Sequence, residues 1–301
     1  MNSSNKSISS SNSSKPNPIS AKRIYFSGPY SRQNWSLPDS IIFYIAKNPC
    51  SAKLFQKLVQ MCKYFFIKNP IIIIKQFYKN EKLEAVLEKI EKRIILSNII
   101  SYKFWVTNDR IRPTSKIISS IIPYIYKVDV KKIFVYGQNI SFNDFICFSK
   151  NVECISFINT NLKNENDSNI PLEKLVETLP KLKKLSINNP DYDRYLITSE
   201  TMKELIKIKH VPQIDTICFA GLTDTFDIET FYDYMKKNKH TRFYFSFSYR
   251  FSNAYLNRLE EIVDEIIETQ NHDYKVPCFT VPFPYDNTLK WSKMRKLCFS
   301  K

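Results

Sequence analysis

The feature that most constrains this 301-residue chain is a change of rhythm near residue 130. From there on, short runs with apolar residues at alternate positions take turns with longer runs at helical spacing. Val130, Ile133, Val135 and Ile140 open the pattern, and Val152, Ile155, Phe157 and Leu162 repeat it. Leu182, Leu185 and Ile187 follow, then Ile214, Ile217, Phe219 and Leu222, then a less regular Phe243, Phe245 and Phe247. The central residues Val135, Phe157, Ile187, Phe219 and Phe245 lie 22, 30, 32 and 26 residues apart. A strand-plus-helix unit recurring at that length predicts stacked units, each burying the face its neighbour leaves open. Such an array has a large surface and little place for a deep pocket.

The intervening segments predict helices over 143–149, 171–179, 199–208, 228–238 and 254–269. Ser141 with Asp144 matches a capping box at the first of these. The stronger apolar parity, Ile133 and Val135 with Ile155 and Phe157, is expected to point inward. Phe134, Tyr136, Ser156, Ile158, Ser186, Asn188, Cys218 and Tyr244 then face outward and are the candidate partner contacts. A slip of one residue exchanges the two sets, because side chains alternate along a strand.

The chain before residue 130 reads differently. Residues 1–20 are almost all Ser, Asn, Lys and Pro and are expected to be disordered, with too little apolar surface to offset the cost of ordering. Residues 37–68 predict two or three short helices. Pro38 suits a first turn, Ile41, Ile42 and Ile45 share a face, and Leu54, Leu58, Met61 and Phe65 follow at spacings of three and four. Asn48-Pro49 separates the helices and Asn69-Pro70 closes the block. Residues 81–96 carry a helical stripe of Leu83, Val86, Leu87, Ile90 and Ile94, and residues 97–112 alternate as a first strand region. A helix over 117–126 runs around or breaks at Pro123. At the other end, Lys290, Lys293, Arg295 and Lys296 mark 286–301 as a loosely packed basic tail. Cys298 is the fourth residue counted from the end, but the residues after it do not fit a prenylation signal.

Several chemistries are disfavoured. Gly28, Gly137 and Gly221 are the only glycines, and phosphate-cradling loops need several in one turn. His210, His240 and His272 are scattered, and the first two are placed at helix ends, where a cation suits the dipole. Glu260, Glu261, Asp264, Glu265 and Glu268 read as a solvated helix face. The seven cysteines are odd in number and lack any Cys-x-x-Cys, so neither a disulfide framework nor a zinc site is expected. No cofactor, metal or catalytic residue is expected, and the chain reads as a non-enzyme. The aliphatic run Ile71 to Ile74 is too short to span a bilayer, and no secretory leader is evident, so a cytoplasmic or nuclear protein is expected. The net charge of +16 makes nucleic acid an alternative partner. Against it stand 35 Lys to 10 Arg, since dedicated phosphate readers favour the arginine fork.

Residues 37–66, with Leu37-Pro38, Ile41, Ile42 and Ile45, then Leu58 and Cys62-Lys63-x-Phe65, resemble an F-box. The repeats that follow resemble irregular leucine-rich repeats, keeping the apolar spacing without the asparagine. Together with Phe104-Trp105-Val106 and Pro171-Leu172-Glu173-Lys174-Leu175-Val176, the chain is similar to the divergent, lineage-expanded F-box-like proteins of nematodes. The resemblance implies a substrate receptor of a cullin–RING ubiquitin ligase. It implies docking of a Skp-type adaptor through Leu37, Pro38, Ile41, Ile42, Ile45 and Leu58, and an unknown protein substrate on the repeat sheet. The layout expected is an α/β chain: an F-box-like block at 35–70, a connector with the first repeat at 71–127, and a leucine-rich-repeat-like solenoid at 128–285. The other reading of 37–66 is a cap that buries the first strand of the array, which would make the chain an interaction scaffold with a vestigial F-box.

Overall fold

The computed structural model describes residues 33–79, 83–87, 93–95, 102–107, 110–111, 115–188, 197–248, 251–282 and 289–299. The Ser/Asn-rich stretch at 1–20 lies outside them. The described chain is α/β, with parallel strands and helices around one main core.

Three helices come first: α1 (Asp39–Lys47), α2 (Ala52–Met61) and α3 (Lys63–Lys68). Pro38 stands immediately before the first helical residue, and its carbonyl accepts from Ile41 and Ile42 N–H at 2.9 and 3.1 Å. Ser51 caps α2 by accepting from Leu54 N–H at 3.2 Å. The Asn-Pro pair that closes the block does more than break a helix. Asn69 is buried, and its Nδ2 donates to Ala46 O at 3.0 Å and Lys47 O at 3.3 Å, satisfying carbonyls at the end of α1. Ile42, Ala46 and Phe65 form a small core of their own, with Trp35 edge-on to Phe65 at 5.7 Å.

The chain then enters β1 (Ile71–Lys79), the centre of a mixed sheet ordered β3 (Arg93–Ile95), β2 (Leu83–Leu87), β1, β4 (Lys103–Val106), β6 (Ile125–Val128). The helix expected over 81–96 is replaced by β2 and β3, both antiparallel to their neighbours. The open edge of β1 offers unpaired N–H and C=O groups, and a strand at 83–87 satisfies them where a helix does not. The aliphatic run of β1 is continuous because both faces are covered. Ile71, Ile73 and Trp105 pack with Phe55 of α2, while Ile74, Phe104 and Val106 join the main core on the other side. The indole Nε1 of Trp105 donates to Asp129 Oδ2 at 2.6 Å. The helix expected over 117–126 is divided. It is helical over α4 (Ser115–Ile121), makes one 3-10 turn at Pro123, and continues as β6.

The second sheet is the larger. In spatial order its strands are β5 (Arg110–Ile111), β7 (Lys132–Tyr136), β9 (Cys154–Ile158), β11 (Lys184–Asn188), β12 (Thr216–Leu222), β13 (Arg242–Phe247) and β14 (Cys278–Thr280). Every pairing is parallel, and the spatial order follows the chain order. The connections carry α5 (Phe142–Ser149), α6 (Leu172–Glu177), α7 (Thr201–Leu205), α8 (Ile228–Lys237) and α9 (Asn253–Glu268). Two short strands, β8 (Asn139–Ser141) and β10 (Asn161–Lys163), pair in parallel beside the sheet.

The anchors read from the sequence form one continuous row. Val135 partners Phe157, Phe157 partners Ile187, Ile187 partners Phe219, Phe219 partners Phe245, and Phe245 partners Phe279. All six are buried, together with Phe145, Leu175, Met202, Phe231 and Leu259 from the helices. A second regularity is conformational. The residue after the third outward position of β7 is Gly137 (φ +64), after that of β9 Asn159 (φ +48), and in β12 Gly221 (φ +80). At each of these the chain makes the same left-handed kink, which glycine and asparagine tolerate best. Gly137 N–H then donates to Ile158 O, and Asn159 N–H to Asn188 O, on the next strand.

The basic end of the chain is not a loose tail. Residues 289–299 form α10 (Leu289–Phe299), with Trp291, Met294 and Cys298 buried. Lys290 Nζ donates to Asp264 Oδ2 at 2.8 Å and to Glu260 Oε2 at 3.4 Å, so part of the acidic face of α9 anchors α10. Cys298 hydrogen-bonds Cys278 of β14. The charge run masked a buried face of three residues at spacings of three and four. No helix among the described residues is long and apolar enough to cross a membrane.

Candidate protein-interaction site

Two surfaces are candidates for an interaction site. The first is the outside of the helical block. Among the described residues, seven exposed large hydrophobics lie between Leu37 and Ile67, against five in all the rest. That density marks a contact surface and not scattered exposure. Leu37, Ile41 and Tyr44 follow one another at spacings of four and three, so they form one stripe along the start of α1. Leu54 and Met61 expose the same kind of stripe on α2, and Met61 is 81% exposed. Lys47 lies over the ring of exposed Phe43 at 5.6 Å.

The expected adaptor contacts divide here. Leu37, Pro38 and Ile41 are exposed. Ile42 is 6% exposed and sits in the core of the block, and half-buried Ile45 and Leu58 pack against that core. Those three hold the surface from beneath and do not form it. Tyr44, Leu54 and Met61 extend the surface. The helical spacings 37-41-44 and 54-58-61 are the sequence signal that could have found them.

The second surface is the outward face of the parallel sheet. Phe134, Ser156, Ser186, Cys218 and Tyr244 are successive register partners, and the row continues to Cys278. Tyr136, Ile158, Asn188, Ala220 and Ser246 make a second row. Apart from Cys278, which is buried and meets Cys298 of α10, none of these belongs to a buried core. Tyr136 is 70% exposed, while Phe134, Ser156, Ile158, Ser186, Asn188, Cys218 and Tyr244 are half-buried. The structure thus brings all eight expected partner contacts onto one face. It adds a third row at the strand beginnings, with exposed Lys132 and Lys184. Sequence inspection passed these over because single lysines are common on any surface.

Burial pushes the Cys218 thiol up, against a hydrogen bond from Ser186 that lowers it, so the thiol stays protonated and unreactive. His210 Nε2 lies 3.0 Å from Val176 O, His272 Nε2 2.9 Å from Ile266 O, and His240 Nε2 2.9 Å from Asp215 Oδ1. Each histidine ties a loop to a neighbouring element. No group of three or more His, Cys, Asp or Glu that could hold a metal occurs among the described residues. A groove lined by Pro171, Glu173, Lys174, Glu177, Glu204, Lys207 and His210 lies between α6 and α7, and its charged groups carry both signs.

No protein-family model matches the chain, and no curated protein matches it.

Proposed function

We propose that this chain is a non-catalytic protein-binding module, a substrate receptor of a cullin–RING ubiquitin ligase. Its F-box-like helical block docks a Skp-type adaptor, and its leucine-rich-repeat-like solenoid holds a protein substrate on the open sheet face. The observation that carries the reading is the apolar surface of Leu37, Ile41, Tyr44, Leu54 and Met61 along α1 and α2. Clustered aliphatic and aromatic residues around a proline provide the compact anchor that protein interfaces use. The strand order supports the solenoid reading: units added in chain order, all parallel, are what repeat stacking produces.

Binding of the full chain to a Skp-type adaptor, with Ile41→Asp as the variant, tests this reading. Ile41 is 46% exposed, so the substitution leaves the fold intact, which circular dichroism checks. An unpaired carboxylate in an apolar interface costs several kcal/mol, on the order of a hundredfold in affinity or more. Adaptor binding that Ile41→Asp abolishes supports the reading. A folded wild-type chain that binds no adaptor reduces residues 37–66 to a cap on the first sheet.

A further inference from the structure

We propose that the open face of the seven-stranded sheet receives an acidic, extended segment of a partner protein, held by Lys132 and Lys184 two strands apart. The inference rests on the reading of this face as the partner surface and supplies the partner's chemistry. The placement of the two lysines is set by register: Lys132, Cys154, Lys184 and Thr216 are successive partners across β7, β9, β11 and β12. Lys132 and Lys184 therefore stand two strands apart, at about 9.6 Å.

The charge on this face is one-sided. The outward positions of β7, β9, β11, β12 and β13 hold no Asp or Glu. Lys131 and Lys183, one residue before β7 and β11, pair with Glu153 at 3.4 and 2.7 Å. Lys132 and Lys184 are exposed and make no ion pair among the described residues. The fold therefore neutralises the lysines at the rim and leaves those on the face for an anionic occupant.

The shape of the face favours a polypeptide. Ser156, Ser186, Cys218 and Ala220 make a floor of small side chains, on which a chain can lie close to the sheet. Aromatic residues rise at β7 and again at β13, about 19 Å apart. Single-stranded nucleic acid is held by successive aromatic platforms, and the strands between these two present none outward. Carboxylates at every third residue of a polyproline-type chain recur on one side at about 9.3 Å, close to the spacing of Lys132 and Lys184.

The test is fluorescence anisotropy with three labelled probes: a short proline-rich peptide with Glu at every third position, its Gln counterpart, and a single-stranded oligonucleotide of similar length. Each is titrated with the full chain, with Lys132→Glu/Lys184→Glu, and with Lys150→Glu/Lys237→Glu, which has the same net charge and leaves the face intact. The acidic peptide is expected to bind the wild type and the off-face variant within about twofold, and the on-face variant at least about tenfold more weakly. The Gln peptide is expected not to bind. No binding of the acidic peptide by the folded wild type overturns the proposal. So does equal weakening in both double variants, which would mean general charge attraction. Preference for the oligonucleotide with the same dependence on Lys132 and Lys184 overturns it in favour of nucleic acid. Ile41→Asp lies on the other surface and is expected to leave peptide binding unchanged, so this outcome separates from adaptor docking.

Discussion

Replacing Phe245 and Tyr244 in turn by alanine tests the strand register that the open sheet face depends on. The two residues are neighbours on β13 and point to opposite faces of the sheet. Phe245 is 1% exposed, and its ring centroid lies 4.4 Å from Phe231 and 5.3 Å from both Phe219 and Phe226. Truncating a buried Phe costs about 3–5 kcal/mol. Aromatic contacts on several sides, each adding about 0.5–1.5 kcal/mol without strict additivity, place this site near 4 kcal/mol, roughly the middle to upper part of that range. Tyr244 is half-buried on the open face, where truncation is expected to cost about 1 kcal/mol or less. In urea unfolding with an m-value of about 3 kcal/mol/M, Phe245→Ala lowers the midpoint by about 1.3 M and Tyr244→Ala by about 0.3 M. Equal shifts, or a larger one for Tyr244→Ala, would refute the register, since a slip of one residue exchanges the two faces along the whole strand.

Two further outcomes are expected. Gly137→Ala places a Cβ in open space, so only the backbone at φ +64 is penalised, and the loss should be about 1 kcal/mol in the same urea assay. A neutral result would mean that the left-handed kink is not held in solution. Arg258 donates to both oxygens of Glu229, from Nε at 2.5 Å and Nη2 at 3.0 Å, and this holds the Glu229 carboxyl below its ordinary value of 4.5. A carboxyl depressed by folding stabilises above its unfolded value, and the contribution is lost as pH falls through the folded value. Stability should therefore fall less steeply for Arg258→Leu than for the wild type between about pH 5 and pH 3. Parallel pH profiles of the urea midpoint would show that the pair contributes nothing.

The seven-stranded parallel sheet was the most legible part of the chain. Val135, Phe157, Ile187, Phe219 and Phe245 were readable as anchors because a sheet buried on one face demands strict alternation, and their row in the sheet follows from it. The helices between them carried the matching period. Gly137 and Gly221 also belonged to that pattern, each two residues after an anchor, and the sequence reading used them only to exclude phosphate loops. Their shared role was hidden because Asn159 takes the same conformation without being a glycine.

Elsewhere local pattern misled. Leu83, Val86, Leu87, Ile90 and Ile94 suit a helix, but the unpaired edge of β1 drew residues 83–87 into a strand. The run Ile71–Ile74 carried no alternation to read, since Phe55 covers one face and the main core the other. Near the end of the chain, Lys290 and its basic neighbours obscured Trp291, Met294 and Cys298, which bury once α9 supplies Glu260 and Asp264 to receive Lys290.

By itself, the sequence determined which residues share a face, because side-chain periods of 2 and 3.6 are local properties of the backbone. Only the tertiary structure decided which of those faces are covered. Ile42 is buried and Ile41 exposed, and among the described residues Lys183 has an ion pair while Lys184 has none. Burial and charge pairing depend on segments distant in the chain, here Phe65 beneath Ile42 and Glu153 beside Lys183.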